Sequence, residues 1–162
     1  MKELLLQYAR YNAWANKRIL HAVSNLDEEA LNKTMVSSFP TIKATIYHIW
    51  SAESIWLQRL LLTENPVWAD SVFEGSFETA CAEWLAVSDA LIQFTERQRD
   101  DVAFEHIFQF YHDKESYKFP VYTALNHVFN HSSQHRGQIN TMLRQAGYTK
   151  LQSLDLCTYI TT

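Results

Sequence analysis

The stretch from Ile42 to Leu62 places the strongest constraint on how this chain can fold. Ile42, Ala44, Ile46, Ile49, Trp50, Ala52, Ile55, Trp56, Leu57, Leu60 and Leu61 are spread around most of a helical circumference. A helix that is apolar on nearly all sides must be central, or must pack against neighbours in several directions. Ser37-Ser38-Phe39-Pro40-Thr41 precedes it. Ser and Thr cap helices and Pro is tolerated in a first turn, so a helix is expected to start there and run to about Leu62. His48 sits in its middle.

Three further helices follow from the pattern of apolar residues. Leu4, Tyr8, Tyr11, Ala15, Ile19, Ala22 and Leu26 recur at spacings of three and four, which predicts a first helix over about residues 2–25. The polar stretch from Asn25 to Glu29 begins a connection. Asn65-Pro66 and Glu74-Gly75-Ser76 punctuate a loop, after which a helix is expected from about Phe77 to Arg99. Between Val102 and Phe119 the helical period breaks. Phe108 and Phe110 alternate, and His112-Asp113-Lys114-Glu115 has the composition of a turn, so a short irregular hairpin is expected there. Pro120 opens the last long helix and Gly147 closes it. The tail over 148–162 holds short apolar and Thr-rich pieces. Only three Gly and three Pro occur in 162 residues, which leaves the helices uninterrupted. Four long helices with one non-helical insert before the last predict an all-α four-helix bundle, with residues 1–162 as a single domain.

Composition removes several classes of function. With 47% hydrophobic and 14% aromatic residues the chain can bury a core, so disorder is excluded. The net charge is −4 and no Lys/Arg block occurs, which argues against a nucleic-acid partner. Cys81 and Cys157 lie far apart without CxxC spacing, as expected of reduced thiols rather than a disulfide or zinc framework. The apolar run near the start is only Leu4-Leu5-Leu6, unlike a signal peptide, and no stretch approaches the roughly 18 apolar residues of a membrane span. A cytoplasmic protein with no membrane partner is the expectation.

The last helix carries the chemistry. In the segment LNHVFNHSSQHRGQINTML, His127, His131 and His135 stand at i, i+4 and i+8, on one side of a helix. Each four-residue step rises about 6 Å and metal–nitrogen bonds are about 2 Å, so one ion can take an adjacent pair but not all three. Ala124, Val128, Ile139 and Met142 mark the core face. At about 100° per residue His135 falls among them and His131 at their edge, with His127 about 40° further out. Two histidines in place of core residues are costly unless something satisfies them, and a metal ion satisfies both. A third ligand must come from another helix, and His48 is the candidate. Three imidazoles with open coordination positions match a catalytic rather than a structural site. Hydrogen-bonded or solvated histidines are the plainer explanation for His48 alone or the pair alone. The combination favours a metal.

The segment is His-Ser-Ser-Gln-His, not His-Glu-x-x-His, so it lacks the Glu that serves as general base in zinc proteases. No other side chain stands out as a catalytic base.

The chain resembles the DinB/YfiT-like family of metal-dependent bacterial proteins (unrelated to the DNA polymerase that shares the name). The likeness is carried by Tyr11-Asn12-Ala13-Trp14-Ala15-Asn16, by Ser38-Phe39 leading to His48 with Ala52-Glu53 beyond, and by Trp56-Leu57-Gln58-Arg59-Leu60. Most specific is the segment from His127 and His131 through His135-Arg136-Gly137-Gln138-Ile139. The resemblance implies four helices in up-down-down-up order and a divalent metal, nickel or zinc, on His48, His131 and His135. It also implies a homodimer and a pocket role for His127.

Better-understood members of that superfamily join a low-molecular-weight thiol to an electrophile. The resemblance therefore implies a metal-dependent thiol S-transferase acting in stress response or detoxification, with a small-molecule substrate. The alternatives are a metal-activated small-molecule hydrolase and a non-enzymatic, stress-induced metal-binding protein. Asn12, Glu53, His127 and Gln138 are candidate pocket groups, each more commonly structural. Tyr8, Tyr11, Trp14, Trp50 and Trp56 are more commonly core than pocket lining. Arg136 could bind a thiol's carboxylate or a partner subunit, although a surface ion pair is the commoner role.

Overall fold

The computed structural model describes residues 1–162. Four long helices dominate it: α1 (Lys2–Val23), α3 (Ile42–Leu60), α5 (Phe77–Arg97) and α6 (Val121–Gln145). Three short helices lie in the connections and the tail: α2 (Glu28–Asn32), α4 (Ala69–Val72) and α7 (Leu156–Thr161). A turn of 3-10 helix (Asp101–Glu105) leads into an antiparallel pair of strands, β1 (Ile107–His112) and β2 (Glu115–Pro120).

Local chemistry accounts for the boundaries. The Thr41 side chain accepts from the Ala44 N–H at 3.0 Å and caps α3, and the Ser76 hydroxyl accepts from the Thr79 N–H at 3.2 Å and caps α5. Gly147, at φ 95°, ends α6 in the left-handed conformation that glycine adopts without strain. The strands meet through Asp113 (φ 49°) and Lys114 (φ 68°), the two positive-φ positions of a tight hairpin turn.

The long helices pack in a ring: α1 against α5 and α6, and α3 against α5 and α6. Residue pairs across the ring fix how the helices lie. Arg10 meets Glu96, Tyr8 meets Phe129, Tyr47 meets Phe77, and Thr45 meets Met142. As its apolar circumference requires, α3 also touches α2 and α4.

The core is divided. One apolar cluster joins Leu5, Ala9, Ile55, Leu60, Leu91 and Phe129 near one end of the bundle. A second joins Ile19, Ile46, Ile49, Trp84, Ile139 and Leu143 near the other. Between them lies a buried polar layer with a contribution from every long helix: Asn12 and Asn16, Glu53, Ser88, and Ser132 with Arg136.

The observed fold adjusts the expected stripe on α1. Leu4 is 69% exposed, while Leu5, Ala9, Asn12, Asn16 and Val23 face inward. The expected stripe otherwise holds, with Tyr11, Ala15 and Ile19 buried, and the two asparagines widen the inward face because they find partners inside the bundle. The helices end slightly earlier than expected, α3 at Leu60 and α5 at Arg97. No helix is long and apolar enough to cross a membrane.

Candidate metal centre

Two facing helices build the site. On α6, His131 and His135 follow one another by a single turn, so their side chains leave the same face. On α3, His48 stands opposite. Its Nε2 lies 3.0 Å from His131 Nε2, and one ligand atom from each of the three imidazoles falls within 4.8 Å of the others. The ring centroids are 4.4 to 4.9 Å apart. His127 stands one turn further along α6, with its ring 5.9 Å from that of His131, and is not part of the cluster.

The rings are held from behind. His135 Nδ1 lies 2.7 Å from Gln138 Oε1, so Nδ1 carries the proton and Nε2 keeps its lone pair for the site. Gln138 is fixed in turn, because its amide donates to the Ser38 hydroxyl at 2.8 Å. Phe39 stacks on His48 with ring centroids 4.1 Å apart and touches His135 at 5.6 Å. The segment before α3 thus packs on one side of the cluster, beside a second cavity lined by His48, Asp70 and Glu74.

Burial favours the uncharged form of His48, His127 and His131. Desolvation, followed by the neighbouring His135, His48 and His127, pushes His131 down to about 3. Desolvation and then His135 lower His48. His127 is lowered by desolvation and by the Arg59 charge. Neutral imidazole is the form that binds metal.

The donor set fits a divalent ion. Two nitrogens each about 2 Å from one ion stand about 3 Å apart when they subtend roughly a right angle, which matches the His48–His131 spacing. Three imidazoles leave further coordination positions open. Without an ion, one of the two rings can donate its N–H to the other at this spacing.

The open side faces a cavity of about 340 Å³ whose walls include His48, Trp56, Arg59, Phe110, His127 and His131. Phe110 belongs to β1, so the hairpin inserted before α6 forms part of the wall. No Asp or Glu lines this cavity.

Other candidates fall elsewhere. Glu53 and Asn12 lie in the polar layer, not in the cavity. Asn12 Nδ2, Asn16 Nδ2 and the Ser132 hydroxyl donate to Glu53 Oε1 at 2.8, 2.9 and 2.8 Å, and the Ser88 hydroxyl donates to Oε2 at 2.9 Å. Arg136 is not a surface residue but 1% exposed, and it is committed to this layer. Its Nη1 donates to Asn12 Oδ1 at 2.6 Å and Asn16 Oδ1 at 2.7 Å, and its Nη2 donates to the Ser133 hydroxyl at 2.9 Å. Full burial of a guanidinium demands such partners. Arg136 is thereby unavailable to a cofactor or a second subunit. Of the five aromatic residues singled out, Trp56 lines the cavity and the others pack elsewhere. The sequence reading missed Arg59, Phe110 and Trp68 as site residues, because their meeting depends on the hairpin and α4 folding against α3.

Comparison with known proteins gives a consistent result. The model of the DinB family matches residues 1–160. The chain is 27% identical to "Protein DinB" of Bacillus subtilis (strain 168) over 169 aligned positions, which cover 91% of this chain and 89% of that protein. In fold it is similar to the crystal structure of a DinB-like protein from Bacillus cereus ATCC 10987. The TM-score is 0.73 at 23% identity, covering 93% of this chain and 96% of that one.

Proposed function

This chain belongs to the DinB family, and on that premise we propose that it is a metal-dependent enzyme in which His48, His131 and His135 hold one divalent ion, nickel or zinc. The proposed reaction is transfer of a low-molecular-weight thiol to a small electrophile, in stress response or detoxification. The reading includes one domain over residues 1–162, a homodimer and a cytoplasmic location. It also includes the up-down-down-up helix order. That order is supported by Arg10–Glu96 with Lys17–Asp89 and by Thr45–Met142 with Glu53–Ser132, which run in opposite chain senses, and by Tyr8–Phe129 with Asn12–Arg136 and Tyr47–Phe77 with Glu53–Ser88, which run in the same sense.

One observation carries the proposal. Three imidazoles from two helices converge within 4.8 Å of one another, and two of them, His48 and His131, line a cavity. A divalent ion held there would supply Lewis acidity that lowers the pKa of a thiol brought to it. The protein's own residues do the rest. Gln138 keeps the His135 proton on Nδ1. Phe39 stacks on His48 and fixes the plane of its ring. His127, neutral and packed on Trp56 at 4.9 Å, can accept a hydrogen bond from a substrate thiol.

The test is to load the protein with nickel or zinc and assay it with glutathione or bacillithiol plus 1-chloro-2,4-dinitrobenzene, and separately with 4-nitrophenyl acetate alone. Turnover that requires both metal and thiol supports the proposal. Ester hydrolysis without thiol would replace it with the hydrolase reading. Metal binding with no turnover in either assay would leave a non-enzymatic metal-binding protein.

A further inference from the structure

The cavity beside the histidine cluster contains a cation with nothing to bind. Arg59, on α3, is 7% exposed, yet its guanidinium makes no hydrogen bond and no ion pair within the protein. Its Nε is sealed from solvent without a partner, a condition shared by only one other side-chain atom of the chain, Trp84 Nε1. Aromatic rings surround the group: Phe110 at 4.5 Å, Trp56 at 4.9 Å and Trp68 at 5.9 Å from the guanidinium carbon.

Ring faces attract the charge but accept none of the in-plane N–H donors, so Nε is left without a partner and the two Nη atoms open to solvent without a protein partner. Contrast Arg136, where burial is answered by three hydrogen bonds. A guanidinium that served only packing would stabilise the fold better as a methionine or leucine, because burying an unpaired charge is costly. The cost is explained if the partner arrives from outside. Arg59 lines the same cavity as His48 and His131, and no acidic side chain is there to occupy it.

We propose that Arg59 is the anion-recognising group of this cavity, and that the site takes a small organic carboxylate whose flat apolar body lies among Trp56, Trp68 and Phe110. A carboxylate matches the planar fork of a guanidinium with two parallel hydrogen bonds, and the rings exclude water from that pair. The rest of such a molecule extends toward His48 and His131 along the shared wall. The proposal rests on the reading of the cavity as the reactive site, and it gives the electrophile or the thiol its chemical class. It also gives the hairpin a role, since β1 contributes Phe110 to the anion pocket.

The test is binding of 3-phenylpropanoate and of its uncharged amide to the full chain, measured by calorimetry before and after metal removal by chelator. The carboxylate is expected to bind about tenfold or more tightly than the amide in both states, because charge-assisted hydrogen bonds are at stake. Arg59→Gln should erase the preference. Arg59→Lys, which keeps the charge and a similar volume, should retain a reduced one. Equal binding of acid and amide, no binding of either, or a preference that survives Arg59→Gln but vanishes with the metal would each overturn the proposal. Metal content is measured on the same samples. A chain that holds no metal yet prefers the acid through Arg59 keeps this pocket and loses the metal reading.

Discussion

His48 and His131 bring their Nε2 atoms within 3.0 Å of each other across 83 residues of sequence. Two helices must be held in a fixed register for that distance to exist. The polar layer between the two apolar clusters supplies the register, since Glu53 on α3 accepts from Ser132, the neighbour of His131 on α6. Glu53 therefore acts on the cluster through position, one turn and a fraction from His48.

Replacing Glu53 with Ala should destabilise the fold by about 3–5 kcal/mol, because it removes the acceptor for four donors and leaves Arg136 as an uncompensated buried charge. Urea denaturation followed by circular dichroism measures this. A loss below about 1 kcal/mol would show that the layer contributes little to stability.

Gln138 orients His135 through Nδ1 without facing the ligand side of the ring. Gln138→Leu should therefore weaken metal retention by about 10–100-fold while leaving the helical content unchanged. Competition with a chromogenic chelator reads the affinity. Unchanged retention would remove Gln138 from the account.

The two cysteines should differ in reactivity. Burial, and then the nearby Glu78 charge, push the Cys81 thiol up to about 11. The thiolate is the nucleophile, so at pH 8 only on the order of 0.1% of Cys81 is reactive, and reactivity should climb as pH rises toward 11. Exposed Cys157 should react first with a disulfide reagent. Mass spectrometry of a timed reaction at pH 8 should find label on Cys157 well before Cys81; the reverse order would contradict the burial argument.

The hairpin turn carries strain that can be relieved. Lys114 holds φ 68°, a region that costs a residue with a side chain about 1 kcal/mol relative to Gly. Lys114→Gly should raise stability by up to about that amount, and Lys114→Val should lower it. Thermal melts of the two variants beside the wild type decide the point.

Much of this was legible in the sequence, for identifiable reasons. The choice of His131 and His135 over His127 follows from helical angles alone, because a helix converts spacing directly into direction. His48 was legible because α3 is apolar around its circumference and so must bury its middle. The hairpin showed itself through Phe108 and Phe110 and the Asp113-Lys114 turn. The polar layer did not. Asn12 and Glu53 read as candidate pocket groups, and Asn16 and Ser88 as ordinary polar residues, until four helices are brought together, and Arg136 read as a surface charge for the same reason. Arg59 was hidden too, since its isolation depends on rings from β1 and α4 that lie far along the chain. Helices α2, α4 and α7, of four to six residues, are too short to show a period.

The central claim is that the three histidines hold one ion, and elemental analysis of the purified chain beside a His48→Ala/His131→Ala double variant tests it most directly. The account predicts about one nickel or zinc per chain in the wild type and its loss in the variant, with circular dichroism showing the same helical content. No metal in the wild type after incubation with either ion, or equal metal in both proteins, would contradict it.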